Sequence, residues 1–174
     1  QIRRLTKLTE ELVGLAKLQE IDELQERQKV AISIVLRETC EQFETVAKMH
    51  GKELVWDLQD NLTVFGDEAM LERLFSILLD NAVKYADEKA RISVNAKKNG
   101  KYIHIEVRNP AENMKKGMHM DLFERFYRAD ASHNSATGGH GIGLSNAQAI
   151  VELHKGKITA YSPADGEICF QIRL

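Results

Sequence analysis

The first 27 residues carry one helical stripe. Ile2, Leu5, Leu8, Leu12 and Leu15 recur at spacings of three and four, and Leu18, Ile21 and Leu24 widen the apolar face. Such a helix cannot bury its stripe alone, so it is expected to pack on a partner helix, another chain or its own domain. After Arg27 the pattern shortens. Val30 to Ile32 reads as a short strand, and residues 33–49 as a helix with Ser33 as N-cap and His50-Gly51 as its stop. Leu54 to Leu58 reads as a strand, Asp60-Asn61 as a turn and Leu62 to Phe65 as a second strand. Gly66-Asp67 then opens a long helix through about Ala86, with Leu71, Leu74, Phe75, Leu78 and Leu79 on its apolar face.

A hairpin follows. Ile92 to Ala96 and Ile103 to Val107 alternate, and Asn99-Gly100 marks the turn between them. From Asn109 to about His140 little regular structure is expected except a short helix from Met120 to Arg128, and a connection of that length reads as a lid. A helix from about Ile142 to His154 and two strands, Lys157 to Tyr161 and Glu167 to Arg173, complete the order. Hairpins with helices gathered on one side predict an α+β fold, a two-layer sandwich with a mixed sheet, rather than a doubly wound parallel one.

Composition narrows the class. Hydrophobic residues make up 43% and charged residues 29%, with a formal net charge of −2, so no global basic field points to nucleic acid. No apolar run is long enough to span a bilayer and no signal-peptide pattern is present. The chain opens on Gln1 and enters a helical pattern directly, as expected of a soluble piece of a longer protein. Cys40 and Cys169 stand far apart in no metal spacing and read as reduced packing residues.

Three segments carry candidate chemistry. Gly138-Gly139-His140-Gly141-Ile142-Gly143-Leu144-Ser145 alternates glycines directly before a helix, which suits backbone N–H groups approaching an anion at the positive helix end. The plainer reading is a loop ending at a helix cap. Asn81, Lys84 and Tyr85 share one face of the long helix and offer an amide oxygen for a hard cation, an ammonium for phosphate and a ring for a base. Taken alone, they read equally as a solvated helix face. Leu122-Phe123-Glu124-Arg125-Phe126-Tyr127-Arg128 sets three aromatics and two arginines in seven residues of a chain that is 6% aromatic. Phe123 and Phe126 read as an anchor for the lid, leaving Arg125 and Arg128 free to face phosphate.

In this order the segments resemble the ATP-binding domain of sensor histidine kinases, from a superfamily shared with gyrase-type topoisomerases, mismatch-repair ATPases and a chaperone family. Asp80 to Ala86 resembles the N box, Leu122 to Arg128 the F box and Gly139 to Leu144 the second glycine box. The resemblance covers about residues 28–174, and residues 1–27 resemble the second helix of a dimerisation and histidine phosphotransfer domain. It implies that ATP and Mg2+ bind here. Asn81 would ligate the metal, Lys84 would meet phosphate, and Tyr85 and Asn109 would meet the nucleoside. Arg128, Gly139, His140, Gly141, Gly143 and Leu144 would surround the phosphates. It also implies a response regulator as partner, a homodimer formed through the helical domain, and a cytoplasmic position in a membrane-anchored parent.

Two departures stand out. The family's first glycine box, Asp-x-Gly-x-Gly, is replaced by Asn109-Pro110-Ala111-Glu112-Asn113, which keeps an acceptor oxygen but loses a charge. Ile77 stands where many kinases carry another Asn. None of His50, His104, His119, His133, His140 and His154 sits in a phosphoacceptor motif, so the fragment holds no catalytic histidine of its own. The readings carried forward are a kinase module acting on a histidine outside this chain, a degenerate nucleotide-sensing module of the same fold, and an ATPase of the wider superfamily.

Overall fold

The computed structural model describes Thr6, Thr9, residues 12–14, Ala16, residues 27–127 and residues 141–174. Thr6, Thr9, residues 12–14 and Ala16 are helical, as the leading stripe predicts. Of the lid expected from Asn109 to about His140, residues 128–140 lie outside the described residues, among them Arg128, Gly139 and His140.

Eight strands and three α-helices follow: β1 Gln28–Ala31, α1 Ile32–Met49, β2 Glu53–Leu58, β3 Thr63–Gly66, α2 Glu68–Tyr85, β4 Arg91–Asn99, β5 Tyr102–Pro110, β6 Gly117–Met118, α3 Gly143–Leu153, β7 Lys157–Ser162 and β8 Glu167–Arg173. A short 3-10 helix, Met120–Phe123, precedes α3. The main sheet runs β2-β4-β5-β8-β7-β6. Its β2–β4 pair is parallel and the others antiparallel, so the sheet is mixed as expected. β1 and β3 form a separate antiparallel pair.

Alternation decides which face the helices cover. Ile92, Val94 and Ala96 of β4 and Ile103, Ile105 and Val107 of β5 are buried, while their alternate neighbours are partly or fully exposed. On that face α1 lies over β2, α2 meets β5 and α3 lies over β7, with α2 between the other two helices. α2 buries Leu71, Leu74, Phe75, Leu78, Leu79, Ala82 and Val83, the period of an amphipathic helix. Its start is set by Asp67, whose side chain accepts from the Met70 N–H at 2.9 Å. The Gly100–Lys101 loop joins β4 to β5, and Gly100 at φ +61° fits the two-residue hairpin turn that needs glycine first.

Two expectations are corrected. Ser33 does not cap α1: Ala31 stands at that position with no side-chain cap. The Ser33 hydroxyl instead donates to Gln59 O at 2.9 Å and accepts from Leu62 N at 2.8 Å, holding the β2–β3 connection against the helix start. The helix expected from Met120 to Arg128 is only the 3-10 turn: Glu124 is already extended at ψ 143°, and Phe126 then takes the left-handed conformation at φ +64°. Phe123 anchors this turn edge-on against Phe170 of β8, ring centroids 6.3 Å apart. Both cysteines are free and buried, and burial raises their thiol pKa values, that of Cys40 to about 12.

Candidate nucleotide-binding site

The last turns of α2 bring Asn81, Lys84 and Tyr85 to one edge of the helix layer. Asn81 and Lys84 are half-buried and Tyr85, the final helical residue, is 42% exposed. The Lys84 ammonium is ion-paired with the Asp80 carboxylate one turn earlier, so an incoming phosphate shares that cation rather than meeting it free. The Asn81 side chain makes no hydrogen bond to another described residue, leaving its amide oxygen open to a ligand.

A residue with no motif of its own fixes this helix end. Lys52, just before β2, donates its ammonium to Val83 O at 2.5 Å and Ala86 O at 2.6 Å. It satisfies carbonyls that the helix end leaves without partners, at the negative pole of the helix. Burial lowers the Lys52 pKa and the nearby Asp87 carboxylate opposes that shift. Asp87 makes a second tie: its Oδ1 accepts from Glu112 N at 3.1 Å, and its own N–H donates to Pro110 O at 3.3 Å. The segment replacing the first glycine box is thereby held against the end of α2.

Within that segment Asn109 is 1% exposed at the end of β5. Its Nδ2 donates to Pro110 O at 2.9 Å, which orients the amide, and its Oδ1 is buried with no partner. A buried acceptor without a donor is costly unless a ligand or water completes it. Ala111 and Asn113 are both outside the left-handed region, so the altered segment turns without the glycines of the usual pattern. Ala111 N instead donates to Gly166 O, and Gly166 N to Met114 O, each at 2.9 Å.

The glycine turn meets α2 from the other side. A Cβ on Gly143 would lie 3.5 Å from Ile77 Cγ2, so the first residue of α3 packs one turn ahead of Asn81. α3 has Ile142 as its N-cap residue, with no side-chain cap and no acidic residue in its first turn, leaving N–H groups and the positive helix end open to an anion. Gly141 at φ +69° needs glycine twice over: a Cβ there would also sit 2.8 Å from Tyr127 O and 2.9 Å from Phe126 Cα. Gly141 O accepts from Phe126 N at 2.9 Å, joining the F-box-like segment to the turn. The nearby Asp121 carboxylate raises the Tyr127 pKa. Leu144 is partly buried against the core, and Arg125 is exposed.

Asn81, Lys84, Gly143 and Ile77 are therefore brought onto neighbouring turns of α2 and α3, and Asn109 is linked to the end of α2 through Pro110, Glu112 and Asp87. Lys52 and Asp87 escaped the sequence reading because each acts through backbone atoms distant in sequence. The i,i+4 spacing of Asp80 and Lys84 was the one available signal for the ion pair.

Comparison with known proteins gives concordant results. A family model described as "Histidine kinase-, DNA gyrase B-, and HSP90-like ATPase" matches residues 66–174. The sensor protein DltS of Streptococcus agalactiae serotype III (strain NEM316) is 32% identical over 174 residues, covering 100% of this chain and 42% of the relative. The signal transduction histidine-protein kinase BaeS of Escherichia coli (strain K12) is 33% identical over 167 residues, 95% of this chain and 36% of the relative. Among solved structures, the Acinetobacter baumannii histidine kinase AdeS superposes with a TM-score of 0.78 at 20% identity, covering 100% of this chain and 79% of that one. Full-length ShkA in complex with AMPPNP gives 0.79 at 21% identity, over 97% of this chain and 35% of that one. The chain spans less than half the length of these curated relatives.

Proposed function

Because the chain belongs to the histidine kinase-, DNA gyrase B- and HSP90-like ATPase family, we propose that residues 28–174 are the ATP-binding catalytic domain of a sensor histidine kinase. In this reading the domain delivers the γ-phosphate of ATP to a histidine outside this chain, residues 1–27 are the second helix of a dimerisation and phosphotransfer domain, and a response regulator receives the phosphate. The parent acts as a homodimer anchored to a membrane, with this portion in the cytoplasm. No helix among the described residues is itself long and apolar enough to cross a membrane.

The observation that carries the reading is the buried, unpartnered Oδ1 of Asn109. The amino group of adenine supplies the missing donor, and the Nδ2–Pro110 bond keeps the amide in the orientation that accepts it. The site therefore retains its base-reading acceptor although the Asp of the usual box is absent, which favours a working nucleotide site over a degenerate one. Mg2+ would neutralise charge on the transferring phosphate when bound, with Asn81 as its protein ligand. The rest is positioning. Lys84 meets phosphate while leaning on Asp80, Tyr85 covers the nucleoside, and Gly141, Gly143 and Leu144 present the start of α3 to the phosphates. Arg128, Gly139 and His140 would join them around the phosphates.

Calorimetric titration with ATP, with and without Mg2+ and with GTP as control, tests this reading. Mg2+-dependent binding that prefers ATP and is lost in Asn81→Ala and Asn109→Leu supports it. Equal affinity for ATP and GTP in the unaltered chain would remove the assigned role of Asn109.

A further inference from the structure

The end of the sheet remote from Asn109 has a charge character of its own. From Lys89 to Ile105 the sequence has lysines and arginines but no carboxylate, in a chain of net charge −2. On the outer face Lys97 of β4 lies opposite His104 of β5, His104 opposite Arg173 of β8, and Arg173 opposite Lys157 of β7. These four positions form one row across four strands, roughly 14 Å long at the ~4.8 Å spacing of neighbouring strands. Like charges directly opposite, as Arg173 and Lys157 are, destabilise a sheet. The ion pairs among the described residues engage other groups and leave Lys97, Arg173 and Lys157 without a carboxylate partner. In the adjoining row Glu106 is occupied, accepting from Gln171 at 3.0 Å and lying 3.8 Å from Arg108.

The row continues around the sheet end. Arg173 Cζ lies 4.6 Å and Lys101 Nζ 5.0 Å from the centroid of the Tyr102 ring, which holds both cations. Lys101 also lines a cleft of about 290 Å³ with Phe65, Ile103, His154 and Leu174. Phe65 is 69% exposed there. His154 is a wall and not a ligand, since its Nδ1 meets Ile150 O at 2.7 Å and its Nε2 accepts from Asp67 N at 3.1 Å.

We propose that this surface docks an acidic polypeptide segment with one apolar anchor side chain, its carboxylates on the Lys97, Arg173 and Lys157 row and its anchor in the Phe65 cleft. The charge of the row selects an acidic occupant. The row beside it on the outer face, Asp57, Asn95, Glu106, Gln171 and Thr159, carries two carboxylates that an anionic bilayer would have to cover, whereas a peptide can keep to the basic row, which favours a peptide over a bilayer. The cleft is at the small end of ligand pockets, with room for a side chain rather than a large cofactor. Because the row and cleft are at the opposite end of β5 from Asn109, an occupant leaves the nucleotide site accessible.

The test is fluorescence anisotropy of the 174-residue chain with a labelled synthetic peptide of glutamates around one central leucine, at low and high salt. Saturable binding is expected, weakened roughly tenfold by salt and by combined Arg173→Glu and Lys157→Glu. Replacing the peptide's leucine with serine is expected to weaken binding to the unaltered chain but not to Phe65→Ser. The milder Lys97→Gln with Lys157→Gln pair keeps the test available if charge reversal prevents folding, and unchanged ATP titration shows that the nucleotide site is intact. Absence of saturable binding, or binding indifferent to both sets of charge changes, would overturn the proposal. Binding to phosphatidylglycerol vesicles instead of the peptide would also overturn it, as would self-association of the chain abolished by the same variants.

Discussion

His154 and Gly66 share one space: a Cβ on residue 66 would lie 2.4 Å from His154 Cδ2 and 2.6 Å from its Nε2. The ring cannot retreat without giving up its bonds to Ile150 and Asp67, which join the end of α3 to the start of α2. Gly66 is thus required by a neighbour rather than by its own backbone. Gly66→Ala is expected to cost about 1–3 kcal/mol, as overpacking does, seen as a lower urea midpoint. The same change made in a His154→Ala background should cost clearly less, because the two positions are coupled.

The same histidine gives stability a pH dependence. Burial lowers its pKa in the folded chain, against opposing contributions from the Ile150 carbonyl and Asp67; Arg27 adds to the lowering. The unfolded chain, with an ordinary histidine pKa of about 6.5, therefore binds more protons as pH falls through and below that value. Stability from neutral His154 is fully present above the unfolded pKa and declines below it. Urea midpoints measured from neutral to mildly acidic pH should fall for the parent chain, and His154→Gln should flatten that decline. An unchanged slope in the variant would assign the loss to other groups.

Lys52→Met removes the cation from two carbonyls at the end of α2. A stability loss of about 1–2 kcal/mol is expected, together with weaker ATP binding, since the turn it secures carries Lys84 and Tyr85. Chemical denaturation and calorimetry on the same preparation separate the two effects. Weaker ATP binding by the folded variant would identify Lys52 as a positioning residue rather than a purely structural one.

Gly141→Ala meets both a φ of +69° and backbone atoms within 2.9 Å. Left-handed backbone alone costs an L residue about 1–2 kcal/mol, and relief of the contact must push the glycine turn away from Tyr127. ATP affinity is expected to fall by more than stability does. Thermal unfolding with and without ATP reads this as a lost ligand-induced shift.

The elements that proved legible are those whose period sets their own burial. α2 announces itself through Leu71, Leu74, Phe75, Leu78 and Leu79 behind Asp67, and β4 and β5 through strict alternation around Asn99-Gly100. Errors arose where a tertiary partner overrides a local preference. Ser33 has the residue type and place of an N-cap, but its hydroxyl is taken by Gln59 and Leu62 from another part of the chain. Leu122 to Tyr127 has a helical look, yet Glu124 is extended and Phe126, left-handed, is bonded to the glycine turn. Asn81, Lys84 and Asn109 were legible as residue types. The Asp80 partner of Lys84 and the orphaned oxygen of Asn109 required the folded arrangement.

The bond from Phe126 N to Gly141 O has a consequence for tolerance of sequence change. It pins together Phe126 and Gly141, on either side of residues 128–140, so the frame at these two residues is fixed independently of the sequence between them. Added residues between 128 and 140 then enlarge a ring that is already closed at its base. Loop closure grows only logarithmically, about 0.6 kcal/mol for each doubling of length. Length in that stretch can therefore drift in evolution at little thermodynamic cost, whereas a single methyl at residue 141 opens the ring at its joint.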